Sequence, residues 1–421
     1  MAATKPGFVQ SVCLAVALTL SGAGASSANG LAGDYLAARQ ASFLGDYQAA
    51  AEYYGRTIAF DPGNPQLLER AVLANLSLGD IDRAVTLADQ LSEGGFNSQV
   101  GHMAQIAKLA QDEDYGAILQ RIADHEAVGP LVDGLAGAWS ELGRGDMDAA
   151  LLAFDAVAQE RGLAGFAAYH KALALASVGD LEGAEAIFEG QDAGSMQMTR
   201  RAIMARAEIL SQLGRQADAV LLIDDSFGAT LDPGLSALRA ALVANEALPF
   251  SHIRSPKDGV AEVFYTLAGA LANEANDDFT LLYSRIAEYL RPDHAGAILM
   301  SADLLEQLGQ YDLAVDAYKS VPRDDPAFYA AELGRAEALR DAGRTDAAVE
   351  VLEQLAATHG DIANVQSALG DLMRQMENFE DAIKAYDAAL ATFEGEDPSQ
   401  WFLLYTRGIS KERLGDWQAA E

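Results

Sequence analysis

Six histidines, His102, His125, His170, His252, His294 and His359, supply the imidazoles from which a metal or general-base site would be built. Their spacing builds none, because no H-E-x-x-H or H-x-H arrangement puts two of them on one helix face. No serine stands in a G-x-S-x-G elbow, and no G-x-x-x-x-G-K-[ST] loop is present to cradle a phosphate. The single cysteine, Cys13, lies in an apolar stretch near the start, so neither a disulfide nor a thiol nucleophile is expected downstream. Acidic runs such as Asp112-Glu113-Asp114, Asp224-Asp225 and Asp324-Asp325 fall between helical stretches, where carboxylates cap helices or face water. They lack the ladder of ligands ending in a bidentate glutamate that holds calcium. No catalytic constellation, metal or cofactor is therefore expected. The formal charge of −33 repels phosphate backbones and anionic lipid, which sets nucleic acid and membrane surfaces aside as partners.

What remains is chemistry of recognition, and the elements that would position it repeat. The chain is rich in alanine and leucine and has only 11 prolines in 421 residues, a composition that favours helix. Gly45-Asp46-Tyr47, Gly79-Asp80-Ile81, Asp114-Tyr115, Gly145-Asp146-Met147, Gly179-Asp180-Leu181 and Gly214-Arg215 recur at about 34 residues. Gly309-Gln310-Tyr311, Gly343-Arg344, Glu377-Asn378-Phe379 and Gly415-Asp416-Trp417 continue the series. Five residues after the glycine stands a small residue: Ala50, Ala84, Ala150, Ala184, Ala219, Ala314, Ala348, Ala382 and Ala420. Four further on a ring or aliphatic side chain often follows: Tyr54, Phe154, Phe188, Tyr318, Leu352 and Tyr386. The glycine allows a tight turn between antiparallel helices, the alanine a close crossing, and the ring fills the space between units. One such pair cannot bury its own apolar face, so neighbours must stack.

This pattern resembles the tetratricopeptide repeat family over nearly all of residues 31–421. The resemblance implies an all-α solenoid, a right-handed superhelix of antiparallel helix pairs, working as a non-catalytic scaffold for a protein or peptide partner. It also implies that the first helix of each unit lines a concave groove. In the C-terminal half the groove positions are then Asp303 and Glu306, Glu337 and Arg340, Asp371 and Arg374, and Glu412 and Arg413. In the N-terminal half they are apolar: Tyr35, Trp139, Phe166 and Tyr169. A peptide would use the apolar residues as anchors and the charged ones as ion-pair partners, unless the charges pair with one another along the helix. The lysine–asparagine clamp with which some members hold C-terminal carboxylates is not visible here.

Three departures complete the reading. Residues 1–28 form a secretory signal peptide: Lys5, an apolar stretch from Val12 to Leu20, then Ala23-Gly24-Ala25 or Ser26-Ser27-Ala28 as the cleavage signal. They predict a periplasmic protein with no integral membrane segment once the signal is removed. An N-terminal array over 31–227 is followed by a degenerate stretch, 228–259, where Pro249, Pro256 and Gly259 break the helix. There His252, Arg254 and Lys257 make a basic spot, readable as a loop reaching into the groove or to a partner, or as a plain hinge. A second array, 260–421, stops after the first turn of a helix. That leaves Phe402, Leu403, Leu404, Ile409 and Leu414 uncovered and suggests a longer protein with further repeats. Such a protein would be a component of an envelope assembly or of a polysaccharide or protein export machine. An enzyme with its catalytic domain beyond residue 421 is the remaining alternative.

Overall fold

The computed structural model describes residues 31–190, 196–228, 231–272, 274–393, 395 and 397–420. The expected signal peptide, with Cys13, lies outside them. Among the described residues there are helices and turns and no strand. Helix pairs follow one another: α1 (Leu31–Phe43) with α2 (Tyr47–Ile58), α3 (Pro65–Leu78) with α4 (Ile81–Glu93), and α5 (Gln99–Gln111) with α6 (Tyr115–Ala123). Next come α7 (Pro130–Gly143) with α8 (Met147–Gln159), α9 (Ala164–Ser177) with α10 (Leu181–Glu189), and α11 (Arg200–Gln212) with α12 (Gln216–Phe227). A lone helix, α13 (Pro233–Val243), precedes the pair α14 (Pro256–Leu271) and α15 (Asp277–Leu290). The rest are α16 (Ala295–Gln307) with α17 (Tyr311–Tyr318), α18 (Phe328–Asp341) with α19 (Thr345–Thr358), α20 (Ala363–Gln375) with α21 (Phe379–Ala391), and α22 (Trp401–Arg413) with α23 (Trp417–Ala420).

The repeating residues do what their types allow. Gly79 ends α3 with φ 81°, and Asp80 then caps α4 by accepting a hydrogen bond from the Arg83 amide. Where the repeat has no glycine, Glu113 and Glu377 take the left-handed conformation themselves, at φ 58° and 61°. The crossing alanines from Ala50 to Ala382 are buried, and in the third unit Ile118 fills that position at 0% exposure. The following ring reaches a glycine of a first helix. A Cβ on Gly334 would lie 2.4 Å from the Tyr318 ring, and one on Gly370 2.7 Å from Tyr386.

Helices pack on their neighbours in sequence up to α13 and again from α14 onward, and one further set of contacts shapes the molecule. The hairpin of α14 and α15 also packs against the first helices of the N-terminal units: α14 on α5, α7 and α9, and α15 on α3 and α5. One apolar core runs continuously from Ala38 through Trp139 and Phe264 to Ala297. Non-helical backbone ends at Ser255, not at Gly259. The Ser255 hydroxyl caps α14 through the Asp258 amide, and Pro256 sits in the first turn, where its missing N–H costs nothing. At the other end Trp401, Phe402, Leu404, Leu414 and Trp417 are exposed, but Leu403 turns inward against Tyr386 and Ala389.

Candidate functional site

The N-terminal groove is filled by the chain itself. Trp139 is fully buried: Phe154 meets its ring edge-on at 5.7 Å, and its Nε1 donates to His170 Nδ1 at 3.1 Å. Gly259 of α14 comes so close that a Cβ there would lie 2.1 Å from the indole. Tyr169 is buried too, and its hydroxyl donates to Glu262 Oε1 of α14 at 2.9 Å. Trp139 thus does not line an open groove as expected, because the hairpin covers the apolar face that would otherwise meet water, and Tyr169 keeps only an edge on a small pocket. Phe166 is half-buried and lines a small pocket of ≈ 350 Å³ beside Tyr169, Arg201, Tyr265 and Met300. Tyr35 lies apart, half-exposed on α1.

Glu262 carries the charge of this junction with its side chain only 1% exposed. Burial alone would raise its carboxyl. Arg201, whose Nε donates at 2.8 and 2.9 Å, together with His294 and His170, holds it far below the usual carboxylate range. Burial lowers His170 to about 4, so its imidazole is neutral at pH 7. The basic spot before α14 is spent internally in the same way. His252 Nδ1 lies 2.9 Å from Glu208 Oε2, and the same carboxylate accepts from the amide and hydroxyl of Ser251. Arg254 grips Asp258 at 3.0 Å and Asp293 at 2.7 Å, while Lys257 is half-buried in the first turn of α14. The segment leads α14 onto the N-terminal units, with His252 buried and Arg254 half-exposed.

The C-terminal groove is open. Glu337, Arg340, Asp371 and Arg374 line one pocket of ≈ 650 Å³ with Leu333, Ala368, Leu372 and Phe402, between α18, α20 and α22. Arg340 pairs with Glu337 and Asp341, each at 2.8 Å, and Arg374 stands 3.5 Å from Asp371. Tyr386 reaches back from α21 and donates to Asp371 at 2.7 Å. Two units earlier, Tyr318 donates to Asp303 at 2.6 Å and reaches Glu306 at 3.2 Å. Burial, and then the neighbouring Glu337, raise Glu306 to about 7; burial also raises Asp303. Asp303, Glu306 and Glu337 form an acidic station beside the apolar pocket. Asp303 also lines an adjoining pocket of ≈ 590 Å³ with Leu299 and Tyr329. Glu412 and Arg413 lie exposed at the end of α22; Arg413 faces Glu377 at 3.7 Å and does not join the others. Sequence reasoning missed the hydroxyls of Tyr318 and Tyr386. The ring positions mark them as space-fillers, and their sequence spacing hides that they reach back to the first helix.

Stacked antiparallel helix pairs, with small residues at most crossings and clefts along their first helices, define a helical-repeat solenoid. The family model of the tetratricopeptide repeat matches residues 35–97, 299–362 and 367–421, and these stretches are tetratricopeptide repeats. Among solved structures, the chain is similar to MamA from Desulfovibrio magneticus RS-1, at 20% identity and TM-score 0.33 over 38% of this chain and 88% of that one. It is also similar to YrrB, a tetratricopeptide protein with an unusual peptide-binding site, at 13% identity and TM-score 0.30 over 38% and 80%. Yeast Tom70 is similar at 11% identity and TM-score 0.33 over 93% and 82%. No curated protein sequence matches the chain.

Proposed function

We propose that this protein is an exported, periplasmic scaffold without catalytic activity that holds a protein or peptide in its C-terminal groove. The observation that carries the reading is the ≈ 650 Å³ pocket, where Leu333, Leu372 and Phe402 offer apolar anchorage and Glu337, Arg340, Asp371 and Arg374 offer ion pairs. Together these suit an extended or helical segment with an apolar side chain flanked by charge. The acidic station of Asp303, Glu306 and Glu337 favours a basic residue on the side toward α16. Around Trp139 the groove offers no comparable opening, since α14 packs on α5, α7 and α9 there. A photoreactive residue at Glu337, introduced in the native host, should yield a discrete protein adduct, and the double change Arg340→Glu and Arg374→Glu should abolish it. Labelling of solvent or lipid alone would contradict the reading. Periplasmic location rests on the leader at residues 1–28; a phosphatase active only outside the cytoplasm, fused after Asn29, should be active.

A second reading is favoured by the exposed apolar face of α22. Trp401 is 66% exposed and Tyr405 60%, a density of uncovered rings that suits a component of a larger envelope or export assembly.

A further inference from the structure

We infer that the seating of the α14–α15 hairpin over Trp139 is acid-sensitive: His170 and His294 hold it in place at neutral pH and release it on taking up protons. Both rings surround the same turns of α14. His170, on α9, accepts from the indole of Trp139, against which Gly259 packs. His294 follows α15; its ring centre lies 4.5 Å from that of Tyr265, and its Nε2 stands 3.5 Å from Glu262 Oε2. The acid sensitivity comes from the atoms they touch. An imidazole nitrogen that accepts a hydrogen bond cannot also carry a proton. His170 Nδ1 accepts from the Trp139 N–H at 3.1 Å, and His294 Nδ1 accepts from the Ala297 amide at 3.0 Å, capping α16. An indole N–H and a backbone N–H only donate, so both rings are neutral with the proton on Nε2. A second proton must enter at Nδ1, facing another N–H. Both hydrogen bonds would then be lost and two charges enclosed.

The groups facing the two rings are Glu262 and Tyr265 of α14, Tyr169 of α9, Arg201 of α11, Arg291 just after α15, and Asp293, which Arg254 and Arg291 hold. Glu262 attracts a proton to either ring, but its oxygens already accept from Arg201 and Tyr169. Burial holds His170 at about 4; burial and then Arg201 hold His294 below the ordinary histidine range. His102 is lowered too, but its contact with Arg121 at 3.1 Å joins α5 to α6 and not to the hairpin. His252 differs, since its Nδ1 faces the Glu208 carboxylate, an acceptor. Lifting the hairpin gives both rings water and their ordinary value of about 6.5. The seated form binds these protons more weakly, so their support for seating is complete above about pH 6.5 and is lost as pH falls toward 4. For His170 alone the ratio of open to seated hairpin rises about 30-fold between pH 7.5 and pH 5, and His294 adds in the same direction. Release bares Trp139 and the faces of α5, α7 and α9 on which α14 packs. The inference does not depend on the C-terminal groove being a binding site.

Hydrogen–deuterium exchange of the purified chain at pH 7.5 and pH 5, corrected for the intrinsic effect of pH on exchange, tests the assignment. Protection of residues 256–271 should fall about 30-fold or more at pH 5. Residues 363–391, whose helices α20 and α21 pack on α18, α19 and α22, should keep theirs. The double variant His170→Asn, His294→Asn offers an amide oxygen near each Nδ1 position but cannot titrate, and should show no such fall. If that variant does not seat the hairpin at pH 7.5, His294→Asn alone, a residue type that helices accept as N-cap, should still lessen the fall. Unchanged protection of 256–271 at pH 5, or an undiminished fall in either variant, would overturn the assignment. So would a parallel loss in 363–391, which would show general acid unfolding.

Discussion

A carboxylate as enclosed as Glu262 stays ionised only because Arg201, Tyr169 and His294 surround it. Glu262→Gln removes the charge and leaves the Arg201 guanidinium facing a neutral amide in the same enclosure. A loss of roughly 3–5 kcal/mol is expected, read as a lower midpoint in urea unfolding, while Glu69→Gln at the surface should change little. Glu306 behaves in the opposite sense. Its folded carboxyl is raised to about 7 by burial and by Glu337, above its unfolded value, so the folded chain binds this proton more tightly. Its contribution favours folding at low pH and is lost as pH rises through about 7. Glu306→Gln should therefore raise the melting temperature relative to the native chain more at pH 8 than at pH 5. A difference that does not vary with pH would contradict this. Neither behaviour is legible in the sequence. Glu262 and Glu306 are two glutamates among many, and the groups that shift them, Arg201 and Glu337, stand 61 and 31 residues away in the chain.

At the level of helices, the period of about 34 residues was the readable part, because each repeating residue answers a local demand of one turn or one crossing. Ala84 and Ala150 are buried where the spacing puts a close approach, and Glu113 shows that the turn geometry outlasts the glycine. The placement of α14 was not readable. Its amphipathic pattern is that of any repeat helix, and only the three-dimensional course of residues 245–255 delivers it onto α7 rather than onto a helix next in line. The clue, in hindsight, is Gly259, a glycine inside a helix where alanine would be preferred. It is there because the Trp139 indole occupies the space of a Cβ. Gly259→Ala should cost about 1–3 kcal/mol by overpacking, with a red-shifted tryptophan emission as the indole gains access to water. The same change at Gly55, where an added Cβ meets nothing within 4 Å, should not destabilise the chain.

Over the whole molecule, the hairpin turns an array of stacked pairs into a braced body. Tyr47 donates to Asp278, Tyr289 reaches Asp82 at 3.3 Å, and Arg285 donates to the Ser77 carbonyl at 3.3 Å, so residues more than 200 apart in sequence are held together. A repeat array read unit by unit predicts one groove, apolar toward the N-terminal half and charged toward the C-terminal half. The folded chain keeps the charged end open and packs α14 and α15 onto α3, α5, α7 and α9. This also explains why Trp139, an attractive apolar anchor in the sequence, is spent on the core while Glu337 and Arg340 remain available. Hydrogen–deuterium exchange on the purified chain tests this arrangement most directly. Peptides covering residues 256–290 should exchange as slowly as those of α7, since α14 and α15 can open only by lifting off the N-terminal units. Rapid exchange of 256–290, independent of a protected α7, would mean that the hairpin is not seated and that the N-terminal groove, with Trp139 and Tyr169, is the one a partner meets.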